Sequence, residues 1–227
     1  MLRLILGRAG TGKTALLFSE IAARCARRQS GSFLIVPEQY SHEAERELAQ
    51  RCGDTASLYA EVLSFSRLAH RVAIGCGGSA RVYIDKPGRF LQLSLALEQV
   101  GGALSVYGGS ARSPERMVQL LSALDELRFG CTAPDALRKA AESATPSLAG
   151  KLRDLALLQE ALDALSAQSG ADPAGRLDVL AEQLPGCAWL RSAKFYIDGF
   201  TDFTAQERRV IRALLPLADV TVCLTCD

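Results

Sequence analysis

The apolar positions of the chain change their spacing several times, and each change predicts a different element. Leu2 to Leu6 is a short apolar run that ends in a glycine-rich turn, as a buried strand does. From Thr14 to Arg28 the apolar residues recur at helical spacing, and the cations gather at the end, where the helix dipole favours them. Phe33 to Val36 predicts a second strand, which Pro37 stops.

The alternation of predicted strands and helices continues over the next segment. Ser41 begins a predicted helix, Leu58 to Leu63 predicts a third strand, and Ser64 or Ser66 caps a helix that runs through Ala73. Strands that alternate with helices in this way form a parallel sheet with crossover helices.

The pattern then becomes almost wholly helical from about residue 75 to residue 190. Ser113-Pro114-Glu115 is typical of a helix start with proline in the first turn. Leu148 to Leu165 repeats apolar residues at helical spacing over a long stretch. This region therefore predicts a large all-helical insertion.

The strand pattern returns at Phe195 to Asp198. Thr204 to Leu215 predicts a helix with a capping box formed by Thr204 and Glu207, and Val220 to Leu224 predicts a last strand. We therefore predict an α/β fold in which residues 1–75 and 191–227 form the core with the parallel sheet and residues 76–190 form the insertion. Because the chain stops just after a buried strand, we expect it to be the N-terminal part of a longer protein.

Composition adds little to this picture and removes some possibilities. Apolar residues make up 48% of the 227 residues and charged residues 22%, which suits a sizeable core and argues against disorder. The net charge of +1 supports no global attraction to nucleic acid, so a DNA contact needs a local basic patch that sequence alone cannot show. No apolar run approaches about 18 residues. A strand pattern directly after Met1 leaves no room for a secretory signal, so we expect a cytoplasmic protein without a membrane span.

The cysteines are odd in number and scattered, which predicts buried free thiols in a reducing compartment. Cys223 and Cys226 form a CxxC, but no second pair stands at zinc-ligand spacing, and alternation along the strand turns the two thiols to opposite faces. The seven are Cys25, Cys52, Cys76, Cys131, Cys187, Cys223 and Cys226.

The glycine-rich turn after the first strand is the most specific signal in the chain. It fits GxxxxGK[ST] at every fixed position, follows a strand and opens a helix, which is the context that a phosphate-binding loop requires. Backbone N–H groups and the helix N-terminus would cradle the phosphates of ATP, the lysine would reach the β- and γ-phosphates, and the threonine hydroxyl would bind Mg²⁺. The eight residues are Gly7, Arg8, Ala9, Gly10, Thr11, Gly12, Lys13 and Thr14.

An acidic residue at the end of a neighbouring strand would complete the Mg²⁺ site. Asp198 ends the apolar run Phe195–Ile197 and is the candidate, although an ordinary strand-to-turn aspartate is the alternative. Many helicases carry a glutamate directly after this aspartate to orient water, whereas here Gly199 follows. We therefore expect binding of ATP with weak or absent hydrolysis.

Four segments occur together in one order: GRAGTGKT, VPEQ at residues 36–39, LSFSRL at 63–68 and YIDGFTDFT at 196–204. Their combination resembles the N-terminal part of the B subunit of bacterial AddAB-type ATP-dependent helicase/deoxyribonuclease. The resemblance spans nearly the whole chain, and the last segment together with VPEQ is its most specific part.

This resemblance implies a RecA-like domain of the superfamily 1 helicase type, with the insertion at the position called 1B. It also implies a heterodimer with an A subunit that carries the motor, acting on DNA double-strand ends during recombinational repair. The family's nuclease domain and iron–sulfur cluster are expected only in the missing C-terminal part.

Two segments after strands are candidates for contact with single-stranded DNA. Glu38 and Gln39 follow the second strand, at the edge of the sheet where open α/β folds bind ligands, but a plain strand-to-helix turn explains them equally well. Phe65 could stack a base and Arg67 could hold a phosphate, while a core position is the alternative for Phe65.

A different class of function also fits the phosphate loop. The chain could be a self-contained P-loop kinase or small NTPase with the helical region as a lid over a small substrate. The size of the insertion and the terminal strand argue against this alternative.

Overall fold

The computed structural model describes residues 1–53, 55–75, 82–108 and 113–226. The chain divides into two compact units, which we call the sheet unit (Met1–Ala80 with Leu177–Asp227) and the helical unit (Arg81–Arg176). The predicted boundary at residue 76 and the thiol of Cys76 lie outside the described residues.

The sheet unit is built on five parallel strands in the order β1-β5-β4-β2-β3. The register pairs Leu4 with Val222 and Leu34 with Tyr196. Because all strands run the same way, their carboxyl ends meet at one edge of the sheet. The strands are β1 (Leu2–Gly7), β2 (Ser32–Ile35), β3 (Ala60–Leu63), β4 (Lys194–Ile197) and β5 (Asp219–Thr225).

Helices cover both faces of this sheet, as parallel strands require. One face carries α1 (Lys13–Ala26) and α2 (Ser41–Cys52), which bury Leu17 and Leu48 beside Leu34 and Tyr196. The other face carries α3 (Phe65–Gly75), α8 (Arg176–Gln183) and α9 (Ala205–Leu214), whose apolar residues share a cluster with strand residues such as Phe195. The predicted α/β class with a parallel sheet is confirmed.

The sheet unit contains more of the chain than the spacing of apolar residues predicted. The predicted insertion ran to residue 190, whereas residues 177–190 belong to the sheet unit. Leu180, Leu184 and Leu190 are almost fully buried in the cluster that contains Phe195. Their helical spacing matches that of the preceding region, so periodicity alone could not show which core they join.

The helical unit has its own core, formed by Leu93, Leu121, Leu158 and Leu165 among others. Four helices make up most of its described part: α4 (Lys86–Val100), α5 (Pro114–Phe129), α6 (Pro134–Glu142) and α7 (Pro146–Ser169). No helix within the described ranges is both long and apolar enough to cross a membrane.

Two polar centres, one half-buried and one buried, fix the helical unit. Arg89, whose side chain is 17% exposed, pairs through both terminal nitrogens with Asp125 and through Nε with Asp172 at 3.0 Å. Asp154 on α7 is 1% exposed and accepts hydrogen bonds from the backbone amides of Ser105, Val106 and Tyr107 at 2.7–3.0 Å. Buried charges need such partners, so these centres fix the helices and the loop after α4 in one arrangement.

The expectation of buried free thiols is confirmed for only part of the described cysteines. Cys25 and Cys223 are buried and free, whereas Cys52 is half-buried and Cys131 and Cys226 are exposed. The CxxC is split as predicted, with one thiol buried and the other exposed. Cys187 is disulfide-bonded, so the expectation of a free thiol is wrong for this residue.

Asp154→Asn is expected to lower the free energy of unfolding by about 1–3 kcal/mol at neutral pH, because the carboxamide presents N–H groups to backbone donors. Burial alone would raise the pKa of Asp154, but the amide hydrogen bonds outweigh it and hold the pKa below its ordinary value of 3.8. The ionised Asp154 carboxylate therefore stabilises the fold fully above the pKa that Asp154 has in the unfolded chain. This stabilisation is lost as the pH falls through the lower pKa that Asp154 has in the folded protein. Urea denaturation at pH 7 and pH 3 measures both effects.

The matched control is Asp135→Asn, since the Asp135 side chain is 94% exposed. It should change the free energy of unfolding by less than about 0.5 kcal/mol. Equal effects of the two substitutions, or a deficit of Asp154→Asn that stays constant between the two pH values, would contradict the assignment.

Candidate functional site

The loop between β1 and α1 has the backbone shape that its sequence predicts. Gly10 and Gly12 adopt left-handed conformations with φ of 76° and 86°. Such angles destabilise residues that carry a side chain by about 1–2 kcal/mol, so glycine suits both positions. The first helical hydrogen bond joins the amide of Leu16 to the carbonyl of Gly12 at 2.9 Å, which starts α1 at the end of the loop.

Lys13 lies inside the curve of this loop. Its Nζ donates to the carbonyl oxygens of Gly7 at 2.7 Å and Arg8 at 2.8 Å. Thr11 closes the loop by donating its hydroxyl to the Arg8 carbonyl at 2.8 Å. The ammonium group is thus held at the N-terminus of α1, where backbone partial charge already favours an anion.

Thr14 and Asp198 come from opposite ends of the chain and meet at the carboxyl edge of the sheet. The Thr14 hydroxyl donates to Asp198 Oδ2 at 2.6 Å, and Asp198 is only 9% exposed. The expectation of neighbouring strands was wrong, because β5 lies between β1 and β4. The contact forms nevertheless, since Thr14 stands on the first turn of α1, past the end of β1.

The donor set here is compatible with Mg²⁺ only if other ligands complete it. A hydroxyl and a carboxylate oxygen converge at Thr14 and Asp198, and phosphate oxygens and water commonly fill the remaining positions around this ion. Within the ranges that the structure describes, no group of three or more His, Cys, Asp and Glu side chains could hold a metal by itself.

Gly199 has a geometric reason to be glycine. Its φ is 80°, and a Cβ at this position would lie 3.3 Å from Cδ of Pro37. A side chain here would be strained by the backbone and crowded by the segment after β2. The local fold therefore favours glycine, and not glutamate, directly after Asp198.

A cavity of about 430 Å³ opens in front of the loop. Its walls include Lys13, Asp198 and Phe200, together with Glu47 from α2. Sequence reasoning missed Glu47, which also lines an adjoining cavity of about 240 Å³. Its Oε1 accepts from Arg51 Nη2 at 2.6 Å. Regular helical spacing on α2 gave no signal for this residue, because only the fold brings α2 to the loop.

Cys223 also lines the larger cavity, from β5. Burial, followed by the negative charge of Asp198, raises the pKa of Cys223 to about 12. The group is therefore a neutral thiol at physiological pH and a poor nucleophile.

The candidate DNA contacts have different environments. Glu38 and Gln39 are exposed on a short 3₁₀ turn after β2. Phe65 is 4% exposed and meets the ring of Phe200 edge-on at 5.5 Å between centroids, which leaves no free face for a base and favours the core alternative. Arg67 donates to Glu45 at 2.6 Å, so a phosphate would have to compete with a carboxylate.

The capping of α9 accounts for the position of Glu207. Its carboxylate accepts from the amide of Thr204 at 2.8 Å, and its own amide donates to the Thr204 hydroxyl at 3.1 Å. The predicted capping box is confirmed, and no catalytic role is needed for this residue.

A five-stranded parallel sheet, a glycine-rich loop between β1 and α1, and an aspartate at the end of β4 define an α/β domain of the RecA-like helicase type. The particular family follows from comparison with known proteins. The chain belongs to the family described as "ADDB, N-terminal", whose model matches residues 4–227.

Similar proteins are named as the B subunit of an ATP-dependent helicase/deoxyribonuclease. The protein from Desulforamulus reducens is 39% identical over 100% of this chain, and that from Moorella thermoacetica is 37% identical over 98%. The protein from Geobacillus kaustophilus is 35% identical over 100% of the chain. The chain spans about 20% of the length of each of these three relatives.

Proposed function

We propose that this chain is the ATP-binding, helicase-like N-terminal module of an AddAB-type helicase/nuclease that processes DNA double-strand ends for recombinational repair. The observation that carries the proposal is the 2.6 Å contact between Thr14 and Asp198 at the mouth of the loop that holds Lys13. Family membership favours this proposal over a self-contained kinase or small NTPase, and supplies the DNA-processing context.

Each residue of the site has a definite task under this proposal. The backbone amides of residues 8–13 and the N-terminus of α1 would hold the β-phosphate, and the Lys13 ammonium, which now donates to two carbonyl oxygens, would bind phosphate oxygens. Thr14 and Asp198 would hold Mg²⁺, which supplies charge neutralisation for the phosphates. Phe200 and Glu47 bound the space beyond them.

Hydrolysis is expected to be weak in this module. A water-orienting base is absent at Gly199, and the positive φ together with Pro37 leaves little room for one. The bound nucleotide would then stabilise or regulate this half of the complex rather than drive movement along DNA.

Lys13→Ala is expected to weaken binding of a fluorescent ATP analogue in Mg²⁺ by about 10- to 100-fold, the effect of losing a charged hydrogen bond worth about 1.5–3 kcal/mol. Fluorescence titration of both proteins measures the ratio. Lys151→Ala is the control, because Lys151 is an exposed lysine of the helical unit. Equal and negligible binding by wild type and Lys13→Ala would refute ATP binding.

The isolated chain is expected to turn over ATP more slowly than about 1 s⁻¹, the lower end of ordinary enzyme rates. A phosphate-release assay with saturating ATP and Mg²⁺ checks this. Gly199→Glu should not restore turnover, because the new side chain would meet Pro37. Wild-type turnover at ordinary NTPase rates would contradict the role assigned to Gly199.

The full-length protein is expected to form a stable heterodimer with an A subunit that carries the motor, and to act on DNA ends only in that complex. The nuclease domain and its iron–sulfur cluster would lie outside this chain. Co-expression of the full-length gene product with the A subunit, followed by affinity purification and size-exclusion chromatography, tests the pairing. Separate elution of the two proteins would count against the repair function while leaving ATP binding untouched.

A further inference from the structure

The amino edge of the sheet, opposite the nucleotide loop, carries a cavity of about 310 Å³. Three cationic side chains line it, and they come from distant parts of the sequence: Arg24 near the end of α1, Arg191 before β4 and Lys194 at the start of β4. We call these three residues the amino-edge cluster. No run of basic residues in the sequence marks this cluster, because folding assembles it.

The cluster has no acidic partner within the described part of the chain. Asp219 is the one acidic side chain among the lining residues, and it accepts from the amine of Met1 at 3.1 Å. Arg191 and Lys194 make no side-chain hydrogen bond or ion pair to any described residue, and Lys194 Nζ stands 5.5 Å from the ring centroid of Tyr196. In this respect the cluster differs from Arg67 and Arg89, which pair with carboxylates.

Arg24 is held in place by neutral groups. Its Nε donates to Ser32 Oγ at 2.8 Å, and its Nη2 donates to the carbonyl of Ser30 at 3.2 Å. A longer bond of 3.4 Å reaches Gln29 Oε1 from Nη1. A guanidinium has five N–H donors, so two remain for a ligand while the charge stays uncompensated. The group is therefore fixed in position before any ligand arrives.

Like charges held together in a concave surface repel one another, and an anion relieves that repulsion. Planar guanidinium forks and an ammonium suit the oxygens of a phosphoryl group especially well. We propose that the amino-edge cluster binds phosphoryl groups, carried either by a DNA backbone or by a small phosphorylated molecule. The site shares no residue with the cavity in front of the nucleotide loop, so the inference does not depend on ATP binding.

The sequence favoured the interpretation of Arg24 as an ordinary solvated cation near the end of α1. Arg24, Arg27 and Arg28 follow one another near the end of α1, where solvated cations are common. Arg27 and Arg28 are indeed exposed, whereas Arg24 is half-buried and turned toward Ser32. The structure thus separates Arg24 from its sequence neighbours and joins it to Arg191 and Lys194.

The test compares Arg191→Ala/Lys194→Ala with a control pair, Arg46→Ala/Lys139→Ala, which removes the same two charges from exposed positions outside the cluster. All proteins carry Lys13→Ala, so that the nucleotide loop contributes little to binding of the probes. One arm measures fluorescence anisotropy of a labelled 20-nucleotide single strand over a salt series. The other arm measures pyrophosphate binding by calorimetry.

If DNA supplies the phosphoryl group, the cluster variant should bind the strand at least about 10-fold more weakly at low salt. Its salt slope should fall by about 1.4, since each single-strand phosphate contact contributes about 0.7. If a small molecule supplies it, pyrophosphate binding is lost and strand binding is unchanged. The proposal is overturned if the cluster variant and the control pair bind the strand and pyrophosphate equally well. It is also overturned if the parent protein binds neither probe. Arg191→Gln/Lys194→Gln, which keeps the side-chain stems, replaces the alanine pair if circular dichroism shows a folding defect.

Discussion

A hydrogen bond of 2.6 Å between Thr14 and Asp198 ties the two ends of the chain into one site. It depends on the parallel sheet, because only strands that run in one direction bring the loop after β1 and the end of β4 to the same edge. The two strands do not touch, and β5 fills the space between them with Val222 and Cys223 in the core. The site therefore requires the last strand of the chain as much as the first.

The helical unit interrupts the sheet unit in the sequence, and two polar centres hold its segments together. Residues 81–176 separate β3 from β4 in sequence, so the sheet cannot close until both halves have been made. The helical unit has its own core and its own polar centres, as domains do. Arg89 and Asp154 each join segments that lie within the unit.

Much of the sheet unit could be predicted from local patterns, and the reasons are physical. Short apolar runs, the glycine-rich turn and the Thr204–Glu207 capping box are signals that neighbouring residues carry by themselves. Burial of Phe65 and the assignment of residues 177–190 to the sheet unit depend on which core an apolar face meets, and periodicity carries no such information. Glu47 and the amino-edge cluster were beyond prediction for the same reason, because tertiary packing alone makes them neighbours of their sites.

Helix α1 connects the two ends of the sheet unit in a single rigid element. Lys13 begins the helix at the carboxyl edge, and Arg24 stands in its last turn at the amino edge. The dipole of α1 favours an anion at its start, yet at its end the cation Arg24 both complements the dipole and leaves two N–H donors unused. One helix thus brings positive charge to both edges by different means: backbone amides and Lys13 at the carboxyl edge, and side chains from three segments at the amino edge. A chain of net charge +1 thus has two separate positively charged surfaces, although its basic and acidic residues are almost equal in number.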